Sequence, residues 1–353
     1  MKKDNLEFLK SLMETPTPTG DEGRGVEVFN KHMLQFSEPV FVDHFNNSVF
    51  KVGVDNGKRI MISGHIDELA YIIVEVLDSG FARIGRISGE DKRVLPGSKL
   101  QVLCDEGKSY IGVISSKPIH VATEKELEEV AEVSDFLLDL GCKNKEEVEG
   151  LGIRVGTLCV YPKGESQIEF GPGKDFVMGP GTDDKVGVYI TSEVLRRMNG
   201  SKALEKNHIT LFGAAMGQEE TGLRGAKVCA RKVNPEISID IDVAPSTESD
   251  FGIPTSKYGK VELGKGVVIE YGPGKSRRLG DLFVKICKEK EIPYQIGVGR
   301  AGGTNTAAIQ EWSEDCETML LSIPNRSMHT PVEVVCWTDI EACINLITAY
   351  LEG

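Results

Sequence analysis

A chain of 353 residues with a formal net charge of −13 carries no basic stripe to neutralise phosphates, which excludes nucleic acid as a partner. The length predicts two domains, or one large domain with an insertion, and the 40% apolar and 27% charged fractions are those of a soluble globular protein. No run approaches the roughly 18 apolar residues of a membrane span, and the charged N-terminus lacks a secretory apolar core. The eight cysteines are scattered without a Cys-x-x-Cys, so the expectation is reduced thiols, a cytoplasmic location and no membrane partner.

Leu6, Phe8, Leu9 and Leu12 fall at helical spacing over residues 4–14, Pro16 and Pro18 end that helix, and Thr19-Gly-Asp-Glu22 starts another that carries Phe29 and Met33. Residues 39–54 predict a hairpin turning at Asn46-Asn47. Ile60-Met61-Ile62 reads as a buried strand, broken by Gly64. From about residue 70 the texture changes. Strand-like runs at 70–76, 81–84, 99–103 and 110–114 alternate with Gly- and Asp-containing turns, the pattern of a small barrel or sandwich. An amphipathic helix is expected over 124–132 (Leu127, Val130, Ala131), followed by a β pair at 156–160 and 167–170. Strand–helix alternation returns from residue 180. Helices are expected at 184–198, 221–232, 277–290, 304–312 and 338–351, with strands at 209–215, 237–241, 267–269, 294–296 and 318–323. The predicted architecture is an α/β domain of residues 1–68 and 169–353, with a mixed sheet between helical layers, interrupted by a β-rich insert at 69–168.

Functional residues of an open α/β sheet gather at the carboxyl ends of strands, and five stretches place acids or histidine there. They are His65-Ile-Asp67, Gly181-Thr-Asp-Asp-Lys-Val-Gly187, Gly217-Gln-Glu-Glu-Thr-Gly222, Ile239-Asp-Ile-Asp-Val243 and Met328-His-Thr-Pro331. Each has a bland reading: Asp183-Asp184 as a helix cap, Glu219-Glu220 as an exposed turn. Together they supply what two metals sharing a carboxylate need, namely two histidines and three acids, with a further carboxylate as general base. Asp240 and Asp242 share one strand face and are costly to bury unpaired. There is no Gly-x-Ser-x-Gly, and Gly274-Lys275-Ser276 fails as a phosphate loop because position 269 is isoleucine.

Over nearly its whole length the chain resembles the M42 metallo-aminopeptidases, which include glutamyl and deblocking aminopeptidases and tetrahedral TET assemblies. The resemblance lies in His65-Ile-Asp-Glu-Leu, in Gln218-Glu-Glu-Thr-Gly-Leu-Arg-Gly225 and in Met328-His-Thr-Pro-Val-Glu-Val-Val335, with Ser116-Lys-Pro and Gly152-Ile-Arg-Val-Gly-Thr157 in the insert. It implies an aminopeptidase acting on short peptides through a metal-bridged hydroxide. His65 and His329 would each bind one metal, Asp183 would bridge them, and Glu220 and Asp242 would complete the two sites. Glu219 would be the general base and Asp67 would support His65. The metals would be two divalent ions, zinc or cobalt, and the inserted barrel would serve dimerisation and assembly, up to a dodecamer. Two positions depart from the family: Lys185 where Arg is usual, and Asn305 where Asp is usual. The alternatives are a carboxypeptidase or amide deacylase of the M20 or M28 kind, and an assembly protein impaired in catalysis.

Overall fold

The computed structural model describes residues 5–248, 250, 252–299 and 303–353, and for Glu106 the backbone alone. The chain begins with helices Leu6–Glu14 and Gly23–Met33 and strands β1 (Glu38–Val42), β2 (Ser48–Gly53) and β3 (Lys58–His65). It then leaves for six strands: β4 (Tyr71–Val76), β5 (Phe81–Arg86), β6 (Lys99–Leu103), β7 (Ser109–Ile114), β8 (Leu137–Asp139) and β9 (Leu158–Val160). β10 (Gln167–Phe170) and β11 (Phe176–Met178) lead back to helix Thr182–Met198 and β12 (Ile209–Met216). Strands β13 (Ile237–Pro245), β14 (Val267–Tyr271), β15 (Tyr294–Val298), β16 (Glu317–Asn325) and β17 (Val334–Cys336) follow, and helix Trp337–Glu352 closes the chain.

The main sheet has eight strands in the order β1-β2-β12-β3-β13-β16-β14-β15. Its four central strands, β12, β3, β13 and β16, are mutually parallel, while β2 and β14 join them antiparallel. Residue alternation places Ile60 and Ile62 in the core beneath helices Thr182–Met198 and Trp337–Glu352, and Met61 in a second core with helices Arg224–Val233 and Asn305–Trp312. The helices therefore cover both faces, as a sheet with buried parallel strands requires.

Gly64 shows how closely the layers approach: a Cβ there would lie 2.6 Å from the Gly187 carbonyl carbon and 2.9 Å from Asp184 Oδ2. Only glycine lets β3 and the start of helix Thr182–Met198 come this close.

β4 to β9 close into a barrel, in the order β4-β5-β8-β7-β6-β9, around a core of its own that includes Tyr71, Ile84, Leu100, Leu138 and Cys159. Two local expectations differ from the structure. The segment 167–170 does not pair with 156–160; β10 pairs with β11, which pairs with β17 in a separate three-stranded sheet. The helix at 124–132 is shorter, Glu124–Glu128, and Leu127 and Val130 are exposed. A Thr123–Glu126 capping box starts it, but no apolar surface receives its nonpolar side, so helical spacing alone does not extend it. No helix among the described residues is long and apolar enough to cross a membrane.

Candidate metal centre

The parallel strands end level with one another. Met216 of β12 pairs with His65 of β3, and Asp240 of β13 with Ser63. This register delivers His65, Asp242 and the Gly217–Glu220 turn to one edge of the sheet. Helix Thr182–Met198 adds Asp183 and Asp184, whose φ/ψ values depart from helical geometry inside its first turn. His329 arrives from the loop after β16, in the left-handed region at φ 63°.

His65 Nε2 lies 3.0 Å from Asp183 Oδ1 and 4.0 Å from Asp242 Oδ1, and His329 Nε2 lies 3.6 Å from Asp183 Oδ2. Asp183 therefore stands between the two imidazoles. Among the described residues, three groups have ligand atoms within 4.8 Å of one another: His65, Asp183 and Asp242; Asp183, Glu220 and His329; and His65, Glu219 and Glu220. All seven residues singled out in the sequence meet here. The arrangement at Asp67 differs in one detail from the sequence expectation. His65 Nδ1 is held at 3.0 Å by the main-chain oxygen of Asp67, not by its carboxylate, whose nearer oxygen is 3.6 Å away. The Asp67 carboxylate instead accepts the N–H groups of Glu219 at 3.0 Å and Glu220 at 3.2 Å, so it shapes the turn that presents both acids.

Several residues with no role assigned from sequence support the cluster. Asp184 Oδ2 accepts the His65 N–H at 3.2 Å and its Oδ1 accepts that of Gly187 at 3.1 Å. Asp240 accepts from Ser63 Oγ at 2.7 Å and Thr306 Oγ1 at 3.4 Å. Glu333 accepts the N–H of His329 at 2.9 Å and of Asp183 at 3.0 Å. Glu333 stood in the Thr-Pro-Val-Glu-Val stretch of the sequence, and its spacing of four from His329 was the available signal. Below the cluster, Glu68 pairs with Lys163 and, at 3.2 Å, with Lys185, which also donates to Thr15 O at 2.7 Å. Lys185 is thus one member of a buried ion triad with Glu68 and Lys163. Asn305 is 1% exposed, and its Oδ1 has no hydrogen-bond partner among the described residues.

The electrostatics are those of a site short of positive charge. Burial raises the carboxyls of Glu219, Glu220, Asp242 and Asp184, and neighbouring carboxylates add to the rise. Burial would also raise Asp183, but the imidazoles of His329 and His65 outweigh it and hold Asp183 low. Burial opposes protonation of His65, yet the Asp183 and Asp67 carboxylates push it well above its ordinary value. Four acids (Asp183, Glu219, Glu220 and Asp242) and two imidazoles around one shared carboxylate form a donor set that suits a pair of divalent cations. Imidazole nitrogen and carboxylate oxygen are ordinary ligands of zinc and related ions, and such cations would replace the protons these groups otherwise bind.

An α/β sheet that gathers two imidazoles and paired, buried carboxylates at its carboxyl edge has the donor chemistry of a metallohydrolase. Residues 46–346 match the family model of the M42 glutamyl aminopeptidases, and the chain belongs to that family, whose members are peptide hydrolases of the aminopeptidase type. It is similar to the lysyl aminopeptidase of Pyrococcus furiosus, 28% identical over 353 residues, covering 98% of this chain and 96% of that protein. Among solved structures it resembles the TET aminopeptidase of the marine sediment archaeon Thaumarchaeota archaeon SCGC AB-539-E09. That match has a TM-score of 0.90 and 28% identity, over 98% of this chain and 95% of that one. It also resembles the TET1 peptidase of Pyrococcus horikoshii, which can assemble into a tetrahedron or a large octahedral shell. Here the TM-score is 0.84 and the identity 28%, over 98% of each chain.

Proposed function

We propose that the protein is a dinuclear metal-dependent aminopeptidase that removes N-terminal residues from short peptides. The observation that carries this reading is that two of the ligand groups share Asp183, each adding one histidine and one further acid: His65 with Asp242, and His329 with Glu220. In this reading His65 with Asp242, and His329 with Glu220, would hold two divalent ions, zinc or cobalt, with Asp183 available to both. Ions so held would polarise the scissile carbonyl and acidify a water. Glu219 takes the proton of the attacking water and passes it to the leaving amine. Asp67 holds Glu219 and Glu220 to their separate tasks through their main-chain N–H groups. The assembly of the Pyrococcus horikoshii relative into a tetrahedron or a large octahedral shell supports a homo-oligomer, and eight unpaired cysteines support a reducing, cytoplasmic compartment.

Glu219→Gln should lower kcat by ~10²–10⁴-fold while metal content stays at the wild-type level; near-normal turnover of a peptide in this variant would remove Glu219 from the base role. An aminopeptidase should also keep cutting when the substrate's C-terminus is amidated and should release the residue at the N-terminal end. Loss of cleavage on amidation favours the carboxypeptidase reading, and release of an acyl group alone favours the deacylase reading.

A further inference from the structure

His329 takes its support from outside the sheet. Its Nδ1 lies 2.9 Å from the main-chain oxygen of Gly89, in the connection between barrel strands β5 and β6, and its own main-chain oxygen accepts the N–H of Asp91 at 3.2 Å. A carbonyl oxygen only accepts, so Nδ1 carries the proton and Nε2 is the nitrogen turned toward Asp183. The His329 N–H goes to one oxygen of Glu333, and the other oxygen of the same carboxylate takes the N–H of Asp183. Glu333 is 1% exposed. One buried carboxylate therefore spans the backbones of the shared acid and the half-buried imidazole. A carboxamide would turn an N–H against one of those two donors, and alanine would leave both unpaired. Gly89 has little room to change, since a Cβ there would stand 3.2 Å from His329 Cε1 and Nδ1. The support of His65 is separate: Asp67 O at Nδ1 and Asp184 Oδ2 at its N–H.

We infer that Glu333 and the Gly89 carbonyl are positioning groups for the ion held by Asp183, Glu220 and His329, so that the inserted barrel helps to build one metal site and not the other. The inference rests on the two-ion reading above. It makes the two sites unequal in a defined way: a change at Gly89 acts on the His329 site and largely spares the His65 site, while a change at Glu333, which also holds the shared Asp183, weakens the His329 site more than the other.

The test is a titration of metal-stripped protein with cobalt(II) alone, followed by equilibrium dialysis and visible absorption, without substrate. Wild type should take up two equivalents, and His329→Ala should abolish one and so identify it. Gly89→Ala, whose Cβ would crowd His329, should weaken that same equivalent by ~10–100-fold, the cost of disturbing a group that orients a ligand, and keep the other near its wild-type affinity; Glu333→Gln should weaken both, the His329 equivalent more. A general structural role would not produce this split. Unchanged affinity at both sites, or equal loss at both, overturns the inference. Wild type that takes up fewer than two equivalents overturns the two-ion reading and the inference with it, and it does so before any variant is compared. Circular dichroism checks the fold of each variant. If Glu333→Gln does not fold, Gly89→Ala in its exposed turn decides the matter by the same comparison.

Discussion

The two imidazoles of the centre are built in opposite ways. His65 closes a central strand, is 1% exposed, and is held by groups of the sheet and of the helix packed on it. His329 sits on a loop in the left-handed region, its side chain 34% exposed, and depends on Gly89 of the barrel and on Glu333. The first is fixed by the same packing that makes the core, so moving it means disturbing the sheet. The second is fixed by a few hydrogen bonds that can break without unfolding anything. One half of the site is therefore a property of the fold, and the other is a property of how two parts of the chain meet.

The largest expected effect comes from removing each imidazole in turn. His65→Ala should cost at least ~10³-fold in kcat/KM, above the ~10–100-fold of losing an orienting partner. It should also reduce binding of both metals, because His65 positions the shared Asp183 at 3.0 Å. His329→Ala should lose one ion and retain the other. Metal analysis after dialysis reads the difference, and equal losses in the two variants would erase the contrast.

Next is Glu68, three residues beyond His65. It is the counter-charge to two buried lysines, Lys163 at 3% and Lys185 at 0% exposure. Burial already lowers Lys185 to about 7, with Glu68 opposing the fall. Glu68→Ala should destabilise the protein by ~3–5 kcal/mol, the usual cost of stranding a buried charge, read as a shift of the urea midpoint. The damage should appear as lost folding, not as selective loss of the His329 ion. A variant of wild-type stability would mean that the lysines shed their charge without cost.

A smaller effect is expected from pH on metal-free protein. Asp183 holds both histidines above their ordinary value of 6.5, and burial holds Glu219 and Glu220 above 4.5. For groups raised in this way the native state binds the extra protons, so their contribution to stability is full below the unfolded value and is lost as pH rises through the folded one. Asp183, held low, works in the opposite direction, at acid pH. The thermal midpoint of metal-free protein should therefore fall as pH rises from about 4.5 to about 10, since the folded values are about 8 for Glu220 and about 10 for Glu219 and His329, and metal should flatten the profile by taking the protons' place. A flat profile without metal would mean that the carboxylates are solvated, not buried against one another.

The candidate ligands of both halves were legible in the sequence, His329 and Asp183 included, and what it left unmarked is the support of His329. His65, Glu219, Glu220 and Asp242 each follow or end an apolar run, and a strand end is where a sheet exposes function. Glu333 was legible only as part of a motif, because an acid four residues past a histidine reads as surface until its two N–H partners are seen. Gly89 had no signal at all: a main-chain carbonyl has no side chain to mark it. The misplaced segments have the same origin. Leu127 and Val130 have helical spacing, and β10 has strand composition, but the partner that extends a helix or pairs a strand lies elsewhere in the chain.

The smallest effect is expected at the pair that steadies the approach to His329. Arg326, just after β16, makes a bidentate contact with Glu248, just after β13, at 2.5 and 2.6 Å. The Arg326 guanidinium holds the Glu248 carboxyl below its ordinary value of 4.5, so the pair's contribution is present above that value and is lost as pH falls through the lower folded one. Both side chains are partly exposed, at 32% and 21%, so solvent screens the attraction. Glu248→Gln should cost about 1 kcal/mol at neutral pH and progressively less as pH falls below 4.5. If the His329 loop depends on its hydrogen bonds, the same change should weaken the His329 ion a few-fold and leave the His65 ion unmoved. A shift in both ions would mean that the loop and the sheet edge respond as one body, which would end the distinction between the two histidines.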